Sequence, residues 1–387
     1  MKSRTLDDSL GASARGAGPG SEVDLADVAG VAVRDFEACP GAVVAAARRT
    51  TEGVRVGVGA FGRLWYGEEA PAVHAGTLFD LASVTKPHTA LALARLEKRG
   101  VLRREERLGE VLPELAETAS GGLALDLLLS HRAGLDGHRQ LYAPLLEGRE
   151  VDRALALRTA ADARRADAMG EAPEEGFAPV YSDLGYLLLG EAIARRTGLP
   201  LEEVIAREVT GPLGLRVGSA GQLAAAEPGF EDEVAPTEVV EWRGGVIRGR
   251  VHDENAWALG GRAACGHAGL FGDARSVLRL GVAILEALAG ERPEWLGPAD
   301  IEPLVRVRAG GSLRAGFDGR TGENPSSGAR FSGATFGHLG FTGTSLWIDP
   351  EAQRVGVLLT NRVHPTRAKD AIRRARPAVY DRLAEAM

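Results

Sequence analysis

Apolar positions along this chain change their period three times. Near the amino terminus, Gly41-Ala42-Val43-Val44-Ala45-Ala46-Ala47 and Val54-Arg55-Val56-Gly57-Val58-Gly59 flank the turn residues Thr50-Thr51-Glu52-Gly53 and predict a β-hairpin. After Ser83 the spacing becomes helical: Ala90, Leu91, Leu93, Ala94 and Leu96 form one buried stripe that stops at Gly100. Helical spacing persists to about residue 225, most clearly over residues 151–165, 185–197 and 201–209. Residues 310–333 are rich in Gly and Ser with little apolar periodicity, which predicts a long surface loop. Two strands follow, 344–348 and 354–360, across the turn Asp349-Pro350-Glu351-Ala352, and residues 368–387 read as an amphipathic helix.

Strands at both ends of the chain with helices between them predict an α+β fold. One antiparallel sheet is formed from both ends and flanked by helices, with a mainly helical lobe inserted. The sheet lobe is expected over about 25–83 and 270–387 and the helical lobe over about 84–269, together making one unit. Residues 1–24, rich in Gly, Ala and Ser, are expected to be a disordered tail.

Composition changes this picture mainly by exclusion. The 387 residues are 44% hydrophobic and 26% charged, as in a soluble globular protein. A net charge of −7 speaks against a nucleic-acid partner, and no apolar run is long enough to cross a bilayer. Asp7 and Asp8 fall where a secretory leader needs its apolar core, so the chain as written is expected in the cytoplasm. Cys39 and Cys265 are too few for a disulfide framework or a cysteine metal site.

One compositional detail is chemical. Lysine and arginine total 46, yet only Lys2, Lys86, Lys98 and Lys369 are lysine. Arginine stays protonated at ordinary pH, whereas lysine can release its proton when desolvated or placed near other charges. Lys86 closes Ser83-Val84-Thr85-Lys86, and residues three apart share a helix face, so its amine can reach and activate the Ser83 hydroxyl. A helix start also offers unpaired N–H groups for a developing oxyanion. Taken alone, S-x-x-K fits a surface lysine near a helix start just as well.

The segment Thr77-Leu78-Phe79-Asp80-Leu81-Ala82-Ser83-Val84-Thr85-Lys86 resembles the nucleophile segment of the serine β-lactamase and penicillin-binding-protein-like hydrolases. The branch it resembles holds class C β-lactamases, D-aminopeptidases, DD-peptidases and β-lactamase-like carboxylesterases. Leu128-Leu129-Ser130-His131-Arg132-Ala133-Gly134-Leu135 is similar to that branch's L-L-S-H-x-x-G-L turn, and Tyr181-Ser182-Asp183 stands at its Tyr-x-Asn motif. His338-Leu339-Gly340 is similar to the third motif, as His-x-Gly instead of Lys-Thr-Gly; the likeness spans about residues 40–361.

The resemblance implies Ser83 as the nucleophile of an acyl-enzyme, with Lys86 and Tyr181 sharing the proton work. It implies His338 as an aid to substrate binding or proton transfer, and the N–H groups of Ser83 and Phe341 as the oxyanion hole, beside Gly340. No metal or cofactor is implied. On the residues alone, Tyr181 also reads as a core tyrosine and His338 as a structural histidine. His131, His252 and His267 read more readily as structural, while Asn255 and His252 are lesser candidates for the cleft wall.

Asp183 departs from the asparagine of many relatives. Facing Lys86, its charge would favour the protonated amine. Lys86 would then act as a cation that lowers the pKa of Tyr181, leaving Tyr181 as the working base. Two other motifs are set aside: Gly57-Val58-Gly59-Ala60-Phe61-Gly62 matches a dinucleotide fingerprint but opens no helix, and no G-x-S-x-G elbow is present.

The functional expectation is a serine hydrolase that cleaves an ester, amide or short peptide through an acyl-serine. An esterase leads, because no export signal is visible and His338 removes a fixed cation suited to a substrate carboxylate. A D-amino-acid peptidase or DD-peptidase, a weak β-lactamase and an acyltransferase are the alternatives. A non-catalytic binding protein on the same fold is the reading from a different class.

Overall fold

The computed structural model describes residues 24–387, so the tail expected over residues 1–24 lies, except for Asp24, outside the described residues. Strands β1 (Gly41–Thr50) and β2 (Gly53–Gly62) form the predicted hairpin, paired from Thr50↔Gly53 to Gly41↔Gly62. The sheet is completed from the other end of the chain by β3 (Asp318–Gly319), β4 (Phe336–Leu339), β5 (Ser345–Asp349) and β6 (Arg354–Thr360). Its order is β2-β1-β6-β5-β4-β3, and every pairing is antiparallel.

Successive side chains of a strand point to opposite faces. Val43, Ala45 and Ala47 therefore join one core, and Ala42, Val44 and Ala46 another. Both faces of β1 are buried, which accounts for its unbroken apolar run. A one-residue slip would exchange two apolar sets, so the register is held by the turn, where Thr50 Oγ1 donates to Gly53 O at 3.1 Å and accepts from Glu52 N at 3.2 Å.

Among the helices, α1 (Leu25–Gly30), α2 (Thr85–Lys98), α3 (Asp183–Thr197), α4 (Ala274–Leu288) and α5 (Ile372–Ala386) position the site. α4 covers one face of the sheet, while α1 and α5 cover the other. α2 is more enclosed than one apolar stripe predicts: every residue from Val84 to Ala94 is buried. Its polar residues are accommodated by local bonds, His88 Nδ1 to Val84 O at 3.0 Å and Thr89 Oγ1 to Gly266 O at 2.8 Å. A helix buried all round lies between packed layers.

Two expectations are corrected. Residues 310–333 are no surface loop: they contribute edge strand β3 and bury Ala315, Phe317 and Phe331. Phe317 meets Phe336 edge-on at 5.3 Å and Phe331 meets Tyr380 at 5.6 Å, single anchors that leave no periodic signal. The last helix begins at Ile372, not at 368, because Arg362 Nη1 donates to Arg367 O and Lys369 O and folds the intervening chain into a loop. Among the described residues no helix is long and apolar enough to cross a membrane.

Candidate active site

A short strand, Phe79–Asp80, pairs with Leu270–Gly272 and leads directly to Ser83. Leu81 N is tied to Leu270 O at 2.9 Å, and the chain then turns through Ala82 at φ +46°, a left-handed value that an alanine adopts only under constraint. The constraint is visible: Asp80 Oδ1 accepts from Ala82 N at 2.8 Å, and Thr344 Oγ1 donates to Leu81 O at 2.9 Å. The single 3₁₀ turn Ala82–Val84 then enters α2, so Ser83 stands half-buried at a helix start.

Lys86 is fully buried, and its Nζ donates to Ser83 Oγ at 2.9 Å, Asp183 Oδ1 at 2.7 Å and His267 O at 3.3 Å. It also lies 4.7 Å from the Tyr181 ring centroid and 5.5 Å from that of Tyr186. Burial works to lower the Lys86 pKa, but Asp183 and Tyr181 outweigh it, and the amine stands above the ordinary lysine value. Asp183 therefore reaches Lys86 and favours the ammonium.

Tyr181 reaches this point from the residue before the N-cap of α3. Ser182 accepts from Gly185 N at 3.3 Å, Asp183 N donates to Gly137 O at 2.9 Å, and Ser182 N donates to His131 Nδ1 at 3.0 Å. The His131 ring stacks on Tyr181 at 4.8 Å, so the Ser130-His131 turn holds the tyrosine in place. Tyr181 as a whole residue is 37% exposed, but its hydroxyl end interacts with both Lys86 and Ser83. Burial raises its pKa more than Lys86 lowers it, so the phenol stands above its ordinary value. The expected net lowering of Tyr181 is thus corrected: desolvation of the phenolate exceeds the attraction of the cation.

His338 sits on β4, buried, with Nδ1 donating to Leu339 O at 2.8 Å. That bond leaves Nε2 with its lone pair, and burial, with Lys86 nearby, pushes the ring down to about 3. His338 is therefore a neutral hydrogen-bonding group. Just beyond it, a Cβ on Gly340 would lie 1.9 Å from Thr344 Oγ1 and 2.6 Å from Leu81 O, so only glycine lets this strand end approach the Ser83 turn. The surrounding turns use other donors: Val84 N bonds Leu81 O and Thr85 N bonds Ala82 O, while Gly340 N bonds Thr344 O and Gly343 N bonds Gly340 O. None of these engages the N–H of Ser83 or of Phe341.

A cleft of about 960 Å³ brings Ser83, Tyr181, Asp183, His338, Gly340 and Phe341 together. A separate cleft of about 1120 Å³, lined by charged side chains such as Glu97, Arg104 and Arg308, contains none of them. Asn255 is not among the residues of the first cleft. Its amide is spent on a neighbouring loop, donating to Arg139 O at 2.8 Å and accepting from Tyr142 N at 3.2 Å, so it shapes the wall from behind. His252 does line the cleft, stacked on Phe341 at 5.7 Å. His267 Nε2 bonds Asp253 Oδ1 at 3.0 Å.

Sequence reasoning missed five participants. The His267 carbonyl holds Lys86, and a backbone acceptor has no side-chain signature. Asp80 stands inside the recognised segment but carried no assigned role. Arg362 and Arg367 from the loop before α5, and Arg373 from its first turn, bring cations to the cleft, far from any motif.

The Beta-lactamase family pattern matches residues 32–380. A protein of Escherichia coli (strain K12) named "Putative D-alanyl-D-alanine carboxypeptidase" is 30% identical over 316 residues, 75% of this chain and 70% of that protein. Among solved structures, "EstCE1, a hydrolase with promiscuous acyltransferase activity" superposes with a TM-score of 0.67 at 25% identity, over 92% of this chain and 97% of that one. A class C beta lactamase from Rhodobacter sphaeroides, 19% identical, superposes with a TM-score of 0.66 over 93% of this chain and 99% of its own and bears on the fold alone.

Proposed function

The chain belongs to the β-lactamase family, whose members are serine hydrolases, and from that premise we propose that it cleaves a carboxylic ester through an acyl-serine on Ser83. The observation that carries this reading is the 2.9 Å contact between Ser83 Oγ and Lys86 Nζ in a cleft large enough for a small substrate. Ser83 Oγ attacks the carbonyl carbon, and the N–H groups of Ser83 and Phe341 receive the developing oxyanion. The alcohol leaves with a proton, and water then releases the acid.

At rest the proton-handling group holds an ammonium on Lys86 and a phenol on Tyr181, so one proton must leave before either can act as the base. Loss of the Lys86 proton to solvent frees an amine 2.9 Å from Ser83 Oγ, and Asp183, 2.7 Å from Nζ, opposes that loss and so sets the pH at which the base forms. Neutral His338, with Nε2 as an acceptor, suits a hydroxyl or N–H of the substrate.

Short-chain p-nitrophenyl esters, a chromogenic cephalosporin and D-alanyl amides, assayed in parallel, test the reading. Ester turnover well above the other two is expected. A second reading, a D-amino-acid peptidase, is favoured by Arg362 and Arg373 at the cleft, cations suited to a peptide carboxylate, and by the name of the Escherichia coli relative. Preference for the D-alanyl amide would decide for it.

Gly340→Ala tests the role of the strand end. The added methyl must push residues 340–341 away from the Ser83 turn, and a displacement near 1 Å of an oxyanion donor costs about 10²-fold in turnover. The fall is expected mainly in kcat. A variant within about twofold of the parent would remove Phe341 N from the proposed machinery.

A further inference from the structure

We infer that Asp80 is a positioning residue for acyl transfer, its carboxylate holding the nucleophile turn and the cleft wall in their working geometry. This rests on the reading of Ser83 as nucleophile. Asp80 is 2% exposed and spends both oxygens on backbone: Oδ1 accepts from Ala82 N and Oδ2 from His252 N, each at 2.8 Å. Its own carbonyl accepts from Thr342 Oγ1 at 2.7 Å. One residue therefore joins three segments: the turn that presents Ser83, the loop that carries His252, and the strand end that carries Phe341.

The clamp acts where the backbone needs one. Ala82 holds φ +46°, a left-handed conformation that is strained for an alanine and persists only when its surroundings enforce it. Without the bond to Ala82 N, the turn can relax and Ser83 Oγ can leave its 2.9 Å contact with Lys86. The other charged groups facing Asp80 are Asp253 on the cleft-wall loop and Arg243 across from it. Arg243 is itself tied to Val251 O at 2.7 Å and His252 O at 2.8 Å, and the His252 ring, pushed down to about 3 chiefly by burial, is neutral.

This geometry gives a signature that ordinary packing does not. Burial raises the Asp80 carboxyl to about 6, although both N–H bonds lower it. The folded state thus holds the Asp80 proton more tightly than the unfolded chain does, whose aspartates titrate near about 3.9. Its contribution to stability is accordingly full in acid and lost as pH rises through about 6. The clamp behaves in the opposite sense: protonation places a hydrogen on one oxygen and weakens one of the two N–H bonds. Below pH 6 this residue should favour the fold while loosening the Ser83 turn.

The test follows labelling of Ser83 by a fluorophosphonate probe, read by intact mass and peptide mapping, together with thermal midpoints, across pH 5 to 8. The parent is compared with Asp80→Asn, in which an amide of equal size turns N–H donors against one of the two backbone N–H groups. Expected are a labelling rate and kcat about 10²-fold lower with KM within about threefold, and loss of the parent's acid limb near pH 6. Equal labelling rates and superimposable pH profiles would overturn the inference, as would a loss of rate that tracks the fraction unfolded. Should the variant not fold, the parent decides: labelling with no break near pH 6 overturns the assignment. A parent that takes no label at any pH would overturn the serine reading itself, and this inference with it.

Discussion

Ser83→Ala is expected to lower ester turnover by about 10⁴-fold or more and to abolish the fluorophosphonate adduct, with the fold intact. The hydroxyl is the only atom removed, and it is the atom that forms the acyl bond. What remains is the cleft and its N–H donors, which orient a carbonyl for attack by water but supply no covalent route. The fold should survive because Lys86 keeps Asp183 and the His267 carbonyl after Ser83 Oγ is gone. Thermal melting within a few degrees of the parent checks this. Turnover above roughly 1% of the parent, or an adduct elsewhere on the chain, would move the nucleophile away from Ser83.

Lys86→Met is expected to be costly to both stability and activity, and a second substitution should separate the two. The amine is fully buried and the Asp183 side chain is 22% exposed, so removing the cation strands a carboxylate in a mostly dry site. Breaking a buried pair from one side costs about 3–5 kcal/mol, and the partial exposure of Asp183 places the expectation near the lower end. In the double variant Lys86→Met, Asp183→Asn, no charge is left stranded. Most of the stability should return, while turnover should stay near the background of Ser83→Ala. If activity returned with stability, Lys86 would be structural only.

Asp183→Asn alone completes the argument. The carboxylate is the largest influence raising the Lys86 pKa, and burial opposes it. Without the carboxylate, burial acts with less opposition and the amine loses its proton at lower pH. The rising limb of the kcat/KM profile should therefore move towards acid. An unchanged profile would show that loss of the Lys86 proton does not govern kcat/KM.

Much of this was legible in the residues. The hairpin of β1 and β2, the strand 354–360 and the convergence of Ser83, Lys86, Tyr181, Asp183 and His338 on one cleft were all expected, because period, turn residues and motif order are local properties of a sequence. The balance of forces on Tyr181 was not legible, because desolvation depends on which segments close over its hydroxyl. Asn255 was expected in the cleft wall and instead braces it, since a motif fixes a neighbourhood but not the direction of a side chain. Residues 310–333 concealed their anchors because Phe317 and Phe331 each plug a separate gap. Arg362 and Arg367 carried no motif, and the loop folded by Arg362 brings both to the Phe341 ring.

The pairing of β1 with β6 also sets when the molecule can function. Ala42 waits for Thr360 across nearly the whole chain, and β4, which carries His338, is held in place through β5 by the same late strand. A contact order of this kind implies slow folding, with the apolar hairpin made early and left without its central partner until synthesis is almost complete. Chains stopped before residue 354 should hold Ser83 and Lys86 in sequence but no working site, and would present an unpaired β1 edge to one another.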